Sequence, residues 1–207
     1  HLPPRGRILE VGAATGRYTR ELARRGYQVT AVDLSPILTE WSRARCAEEG
    51  LGGSVRHLVA DARDLSALGG EVFDAALVMG PLYHLAHRQD RLAALREAWG
   101  LLPAGGLLVS AHIARLGILG DLLRSIPDWV LSAEPPSILA EGRDPQGPHE
   151  GGFRAYFARA EELAPLHEEA GFETLVVAAA EPAISADDES YNRLEGELRR
   201  AWLDLLY

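Results

Sequence analysis

The chain has 207 residues, 47% hydrophobic and 25% charged, with a formal net charge of −9. That balance describes one globular domain, or one domain with an elaborated insertion, large enough to bury a core without disulfides. A single cysteine excludes a disulfide framework and a Cys-rich metal site, the acidic balance disfavours nucleic acid as a partner, and no apolar run nears the roughly 18 residues of a membrane span.

The first 113 residues alternate short apolar runs with amphipathic segments. Residues 7–12 read as a buried strand and 17–25 as a helix. Residues 28–33 are a second strand. Ser35 then supplies a helix N-cap, followed by Pro36 at the first helical position, where a missing N–H costs nothing. Ile37, Leu38, Trp41 and Ala44 continue on one helical face, and Cys46 is expected as a small packed side chain of that helix. Strands follow over 55–60 and 73–79. Leu92, Leu95, Trp99 and Leu102 mark a helix with one apolar stripe, broken by Pro103-Ala-Gly-Gly106 before a fifth strand over 107–113.

Beyond residue 113 the pattern changes. Apolar stretches at 116–123 and 129–131 precede Pro135-Pro136 and a Gly/Pro-rich run through Gly152. This reads as an insertion, part helix and part loop, forming a lid. A helix over 160–170 ends at Gly171, a sixth strand covers 172–180, and a last amphipathic helix carries Leu194, Leu198, Ala201, Trp202 and Leu205. The predicted organisation is a core of 1–113, a lid of 114–152 and a completion of the core by 153–207. Alternating strands and helices imply an α/β fold with a doubly wound, mostly parallel sheet. Ligands bind such sheets at the carboxyl ends of the strands, near the switch in strand order. The polar residues of interest fall at strand ends: Glu10, Asp33, Asp61 and the run Gly80 to His84.

Glu10-Val-Gly-Ala-Ala-Thr-Gly16 joins a strand to a helix through small residues, which lets a ligand approach the backbone and the free N–H groups of the helix start. Taken alone it is a cofactor loop or merely a tight turn. Asp33 ends the next strand, where a carboxylate can accept from both ribose hydroxyls. Three details favour S-adenosylmethionine (SAM) over a dinucleotide. The loop lacks the final glycine of Gly-x-Gly-x-x-Gly. Glu10 suits a cationic amino-acid moiety and would repel a pyrophosphate. Asp61 ends the third strand, where it can accept from an adenine amino group.

These residues resemble the class I SAM-dependent methyltransferases. The matching pieces are ILEVGAATGRYT (8–19), VTAVDLSP (29–36), VADARDL (59–65), FDAALVMGPLYHL (73–85) and LLPAGGLLVS (101–110), in the family's order over about residues 5–113. The Gly80–Leu85 run looks like a subgroup of bacterial small-molecule methyltransferases. The resemblance implies a Rossmann-like methyltransferase fold with SAM as cofactor and S-adenosylhomocysteine (SAH) as its product. It implies that Glu10, Gly12, Ala14 and Gly16, with Ala13 and Tyr18 of the same stretch, line the methionine part of SAM. Asp33 would hold the ribose, Leu34 would pack on the adenine, and Asp61 with the Ala62 backbone would read the adenine edge. Met79 and Gly80 would border the sulfonium, with Tyr83 packed nearby. Two departures stand out: Ala14 occupies a position where the family often has glycine, and the family's final antiparallel strand is missing after the last helix. A truncated chain is expected on that ground. A missing N-terminal piece is also expected, because the chain opens at His1.

A catalytic base is needed only if the acceptor must lose a proton. His84 after the fourth strand and His112 at the end of the fifth are the candidates. The plainer reading of each is a loop histidine bonded to backbone. His149, Arg154, Tyr156 and Phe157 either line an acceptor pocket or pack the lid. No metal site is expected, since His84 and His87 lack a completing ligand. The expected activity is methyl transfer to an oxygen or nitrogen of a small molecule, by a cytoplasmic monomer or homodimer with no membrane partner. The alternatives are an RNA, DNA or protein methyltransferase, a SAM-binding module without turnover, and an NAD(P)-dependent oxidoreductase. No Asn/Asp-Pro-Pro-Tyr run follows the fourth strand, as amino methylation of bases would suggest.

Overall fold

The computed structural model describes residues 2, 4–132, 134–143, 155–179 and 193–206. The chain divides into two compact units: His1–His112 with Leu166–Glu173, and Ile113–Pro165 with Thr174–Tyr207.

The first unit is built on five parallel strands in the order β3-β2-β1-β4-β5. They are β1 (Arg7–Val11), β2 (Gln28–Asp33), β3 (Val55–Val59), β4 (Ala75–Val78) and β5 (Leu107–Ser110), with helices α1 (Arg17–Arg24), α2 (Pro36–Glu48) and α3 (Arg88–Gly100) between them. The chain winds outward from β1 to β3, then returns to place β4 on β1's other side, so the order reverses between β1 and β4. Strand periodicity sorts the core. Leu9 and Val11 face one way and pack with Leu92, Leu95 and Ala98 of α3. Ile8 faces the other way, with Val29, Ala75, Leu77 and Leu22 of α1. Glu10 lies two residues from Ile8, which aims its carboxyl at α1.

The structure decides which face of α2 is buried, and it corrects two expectations about strands. The buried face of α2 is Thr39, Ser42 and Cys46, while Ile37 and Trp41 are 80% and 43% exposed. Small residues face inward because the helix approaches the β1 loop closely: a Cβ on Gly16 would lie 2.1 Å from Ser42 Oγ. Trp41 instead has the guanidinium of Arg45 over its ring, 4.8 Å from the centroid. Strand β5 ends at Ser110, and Ile113–Ala114 forms a separate strand, β6. Residues 172–179 form no strand, and Leu175 and Val176 are 71% and 78% exposed. A β-branched run becomes a strand only against a neighbour, and among the described residues this one has no ladder partner.

In the second unit β6 pairs in parallel with β7 (Phe157–Ala158). Helices α4 (Ile118–Ser125), α5 (Glu134–Glu141) and α7 (Gly196–Leu206) belong to this unit, and α6 (Ala160–Glu169) straddles the division. Trp202 is fully buried, with its indole N–H donating to the Pro127 carbonyl at 2.9 Å. Arg115, 5% exposed, holds the rest. Its guanidinium donates to the carbonyls of Phe157 (3.0 Å), Leu139 (3.3 Å) and Ala140 (3.0 Å) and to Glu162 at 2.9 Å. A buried cation is tolerated only when its donors are satisfied. Replacing Arg115 with leucine strands these acceptors. The expected cost is about 3 kcal/mol, read as faster hydrogen exchange at the Arg115 and Phe157 amides. Unchanged exchange would show that the guanidinium adds no net stability.

Candidate functional site

The β1 loop, Asp33 and the Gly80–Pro81 turn meet at the carboxyl edge of the sheet, around the β1/β4 switch, while Asp61 follows β3 at the sheet's edge. After β1 the chain turns sharply at Gly12 (φ 80°), and the Gly12 and Ala13 N–H groups both donate to the Val32 carbonyl, at 2.8 and 3.0 Å. Asp33, at the end of β2, fixes the turn. Its Oδ2 accepts from the Ala14 N–H at 2.7 Å and its Oδ1 from the Ser35 N–H at 2.8 Å. One carboxylate therefore ties the β1 loop to the N-cap of α2. Ala14 pays for this with a left-handed backbone, φ 47°, costing roughly 1 kcal/mol or more for a residue with a Cβ. That is the physical reason glycine suits this position.

The end of β4 comes against the same loop. A Cβ on Gly12 would lie 2.5 Å from Pro81 Cδ, and one on Gly80 would lie 3.1 Å from the Gly12 carbonyl oxygen. Met79 and Gly80 are thereby set beside the loop. Glu10 sits beneath it, 1% exposed, accepting from the Thr19 hydroxyl of α1 at 2.5 Å. Burial, opposed by that hydrogen bond and reinforced by the charge of Asp33, pushes its carboxyl up to about 7.

Leu34 is 68% exposed and Tyr18 46%, whereas Ala13, Ala62 and Gly16 are buried. The Asp61 carboxylate is gripped by Arg63, which donates from Nε at 3.0 Å and from a terminal nitrogen at 2.7 Å. Hydrogen bonding from Arg63 holds the Asp61 carboxyl below its ordinary range. Arg63 also pairs with Asp90 of α3 at 3.3 Å. It was legible two residues after Asp61, yet the sequence reading passes over it.

The two candidate histidines fare differently. His84 is exposed, its ring centroid 4.7 Å from that of Tyr83. His112 is partly buried and meets His167 of α6 edge to face, at 5.4 Å between centroids. Ser110 Oγ lies between them, 2.8 Å from His167 Nε2 and 3.4 Å from His112 Nε2. Burial first, then the neighbouring His167 and Arg91, push the His112 imidazole down to about 4. Neither Ser110 nor His167 is among the residues picked from sequence: they stand 57 positions apart, and only the fold joins them. Phe157 lies in the apolar interior of the second unit, and the Tyr156 hydroxyl donates to Glu162. His149 and Arg154 lie outside the described residues.

Residues 8–106 match the family model described as a methyltransferase domain. The ubiquinone biosynthesis O-methyltransferase of Xanthomonas axonopodis pv. citri is 35% identical over 113 residues, which is 55% of this chain and 45% of that protein. The chain thus spans about half the length of the curated relatives it matches. A SAM-dependent methyltransferase from Methanosarcina mazei superposes with a TM-score of 0.65 at 23% identity, covering 82% of this chain and 80% of that one. The cyclase SpnF superposes with a TM-score of 0.59 at 24% identity, covering 84% and 54%. The fold is therefore a Rossmann-like methyltransferase fold, a five-stranded parallel sheet flanked by helices.

Glu10 gives a stability test. A carboxyl whose folded pKa of about 7 exceeds its ordinary 4.5 binds more protons folded than unfolded between those values. Stability therefore falls as pH rises through that window and levels off above it, by about 3 kcal/mol in all. Glu10→Gln cannot ionise and lacks this loss. Urea unfolding from pH 4.5 to 8 should show the wild type losing ground to the variant. Parallel profiles would refute the burial argument.

Proposed function

We propose that the chain binds SAM and transfers its methyl group to an oxygen or nitrogen of a small molecule. The observation that carries this reading is the Asp33 carboxylate, fixed by the Ala14 and Ser35 N–H groups beside the β1/β4 switch. Each of its oxygens keeps an acceptor direction for a ribose diol. The surrounding chemistry fits the rest of the cofactor. Leu34, an apolar side chain left 68% exposed beside Asp33, offers a face for the adenine ring, and Asp61 with the Ala62 backbone offers an edge for its amino group. Gly12, Ala13, Ala14, Gly16 and Tyr18 would border the methionine part, over the Glu10 carboxylate. Met79, Gly80 and Tyr83 would border the sulfonium.

SAM, when bound, supplies an electrophilic methyl group on sulfur. The chain's own task is to orient the acceptor and exclude water. The matching methyltransferase-domain model and the curated O-methyltransferases support this activity. The Gly80–Leu85 run supports a small-molecule acceptor of the kind used by the bacterial subgroup it resembles. Glu10, beneath the loop where a pyrophosphate would approach, counts against a dinucleotide. One neighbour favours a second reading: SpnF shares the fold and is a cyclase, so the same fold serves reactions other than methyl transfer.

Calorimetric titration with SAH tests the cofactor. Wild type should bind, and Asp33→Ala should bind at least roughly tenfold more weakly, since it loses both the ribose acceptors and the loop tether. No binding to wild type would sink the reading. Equal binding by the variant would sink the role of Asp33.

A further inference from the structure

Three polar side chains of the first unit that the proposed cofactor site does not use come together at the end of β5: Ser110, His112 and, from α6, His167. Their placement follows from the sheet. The Ala111 N–H donates to the Val78 carbonyl at 3.0 Å, which sets His112 one residue past the level where β4 gives way to Met79 and Gly80. His167 reaches the same point from α6, whose Leu166 is buried in the core cluster with Leu92 and Leu95 of α3. Arg91 of α3 is 4% exposed, and its guanidinium donates to the Leu85 carbonyl at 2.7 Å and to that of Ala86 at 3.0 Å. This pins the turn that follows Tyr83 and His84.

Both histidines turn Nε2 towards one hydroxyl. A serine hydroxyl carries one proton and accepts another, so it can take an N–H from one imidazole and donate to the bare nitrogen of the other. We propose that His112, Ser110 and His167 form a proton relay that deprotonates the acceptor, and that the acceptor is a weakly acidic hydroxyl of the phenol or enol type. This inference rests on the proposed methyl transfer.

The step balances. The acceptor's O–H proton passes to His112 Nδ1, while the His112 Nε2 proton moves to Ser110 Oγ and the Ser110 proton to His167 Nε2. The oxygen's freed electron pair forms the bond to the methyl carbon, and the methyl–sulfur pair leaves with sulfur. The positive charge lost at sulfur reappears on the His167 imidazolium, which releases its proton to water. His112 is the catalytic base, and Ser110 and His167 act through it. The longer of the two contacts, 3.4 Å from Ser110 Oγ to His112 Nε2, is of the kind that tightens when a substrate is held.

The surroundings select the acceptor. Burial, then the neighbouring His167 and Arg91, hold the His112 imidazole down at about 4, so a proton arriving there moves on. The same guanidinium repels a cationic ammonium acceptor and stabilises the anion that a hydroxyl becomes. A phenol or enol is the stronger acid beside an aliphatic alcohol, so its proton passes more readily to an imidazole.

The test uses para-nitrophenol, whose phenolate absorbs visibly, added to the protein–SAH complex one pH unit below the phenol's own pKa. The wild type should bind the dye as phenolate, and ring-nitrogen NMR should show His167 gaining its second proton. Ser110→Ala and His167→Gln should bind SAH as the wild type does yet lower the phenolate fraction roughly tenfold or more. Dye bound in its neutral form, dye that does not bind the SAH complex, or equal ionisation in both variants would overturn the relay. If a variant fails to fold, SAH binding is lost with it, and the wild-type NMR result decides. Failure of the wild type to bind SAH would instead overturn the cofactor reading.

Discussion

The Asp33 carboxylate organises the first unit. Its two oxygens accept N–H groups from opposite sides, Ala14 of the β1 loop and Ser35 at the cap of α2. The loop can then hold the left-handed turn at Ala14, and α2 starts where the chain leaves β2. The close fit of Gly12 with Gly80 and Pro81, and of Gly16 with Ser42, depends on the loop staying there. A charge-assisted bond to backbone is stronger than its neutral counterpart, and here it offsets a backbone cost that a glycine would avoid.

The site that results is asymmetric in its electrostatics. On the β1 to β3 side stand three carboxyls in different circumstances. Glu10 is buried under the loop with its ionisation disfavoured, Asp33 is held by backbone, and Asp61 is clamped by Arg63 in its charged form. On the β5 side stand the imidazole of His112, which burial keeps deprotonated at neutral pH, that of His167 beside it, and the buried guanidinium of Arg91. An acidic side suits a cationic cofactor. A side that favours anions suits a hydroxyl about to lose its proton.

The second unit has its own logic. Where the first unit is ordered by strand pairing, the second is ordered around Arg115, whose donors reach main-chain carbonyls of two separate segments and the carboxylate of Glu162. A sheet of two-residue strands contributes few ladder bonds, so a buried guanidinium and the Trp129–Trp202 pair carry the packing. The family-model match, over 8–106, lies within the first unit.

The sequence by itself determined the alternation of β1 to β5 with α1 to α3, because strand runs of small and β-branched residues broken by glycine and proline carry their own local signal. It also singled out Glu10, Asp33 and Asp61 as carboxyls near strand ends, where a one-dimensional pattern suffices. Tertiary structure decided what depends on neighbours. Ile37 and Trp41 share a helical face, but which face of α2 is buried was decided by the close packing of Ser42 on Gly16, which turned the small residues inward. Residues 172–179 had strand composition but found no ladder partner among the described residues. Arg63 was within reach of a local reading, two residues from the carboxylate it grips. The Ser110–His112–His167 cluster was not, because a hydrogen bond across 57 positions exists only once the first unit has brought α6 to the end of β5.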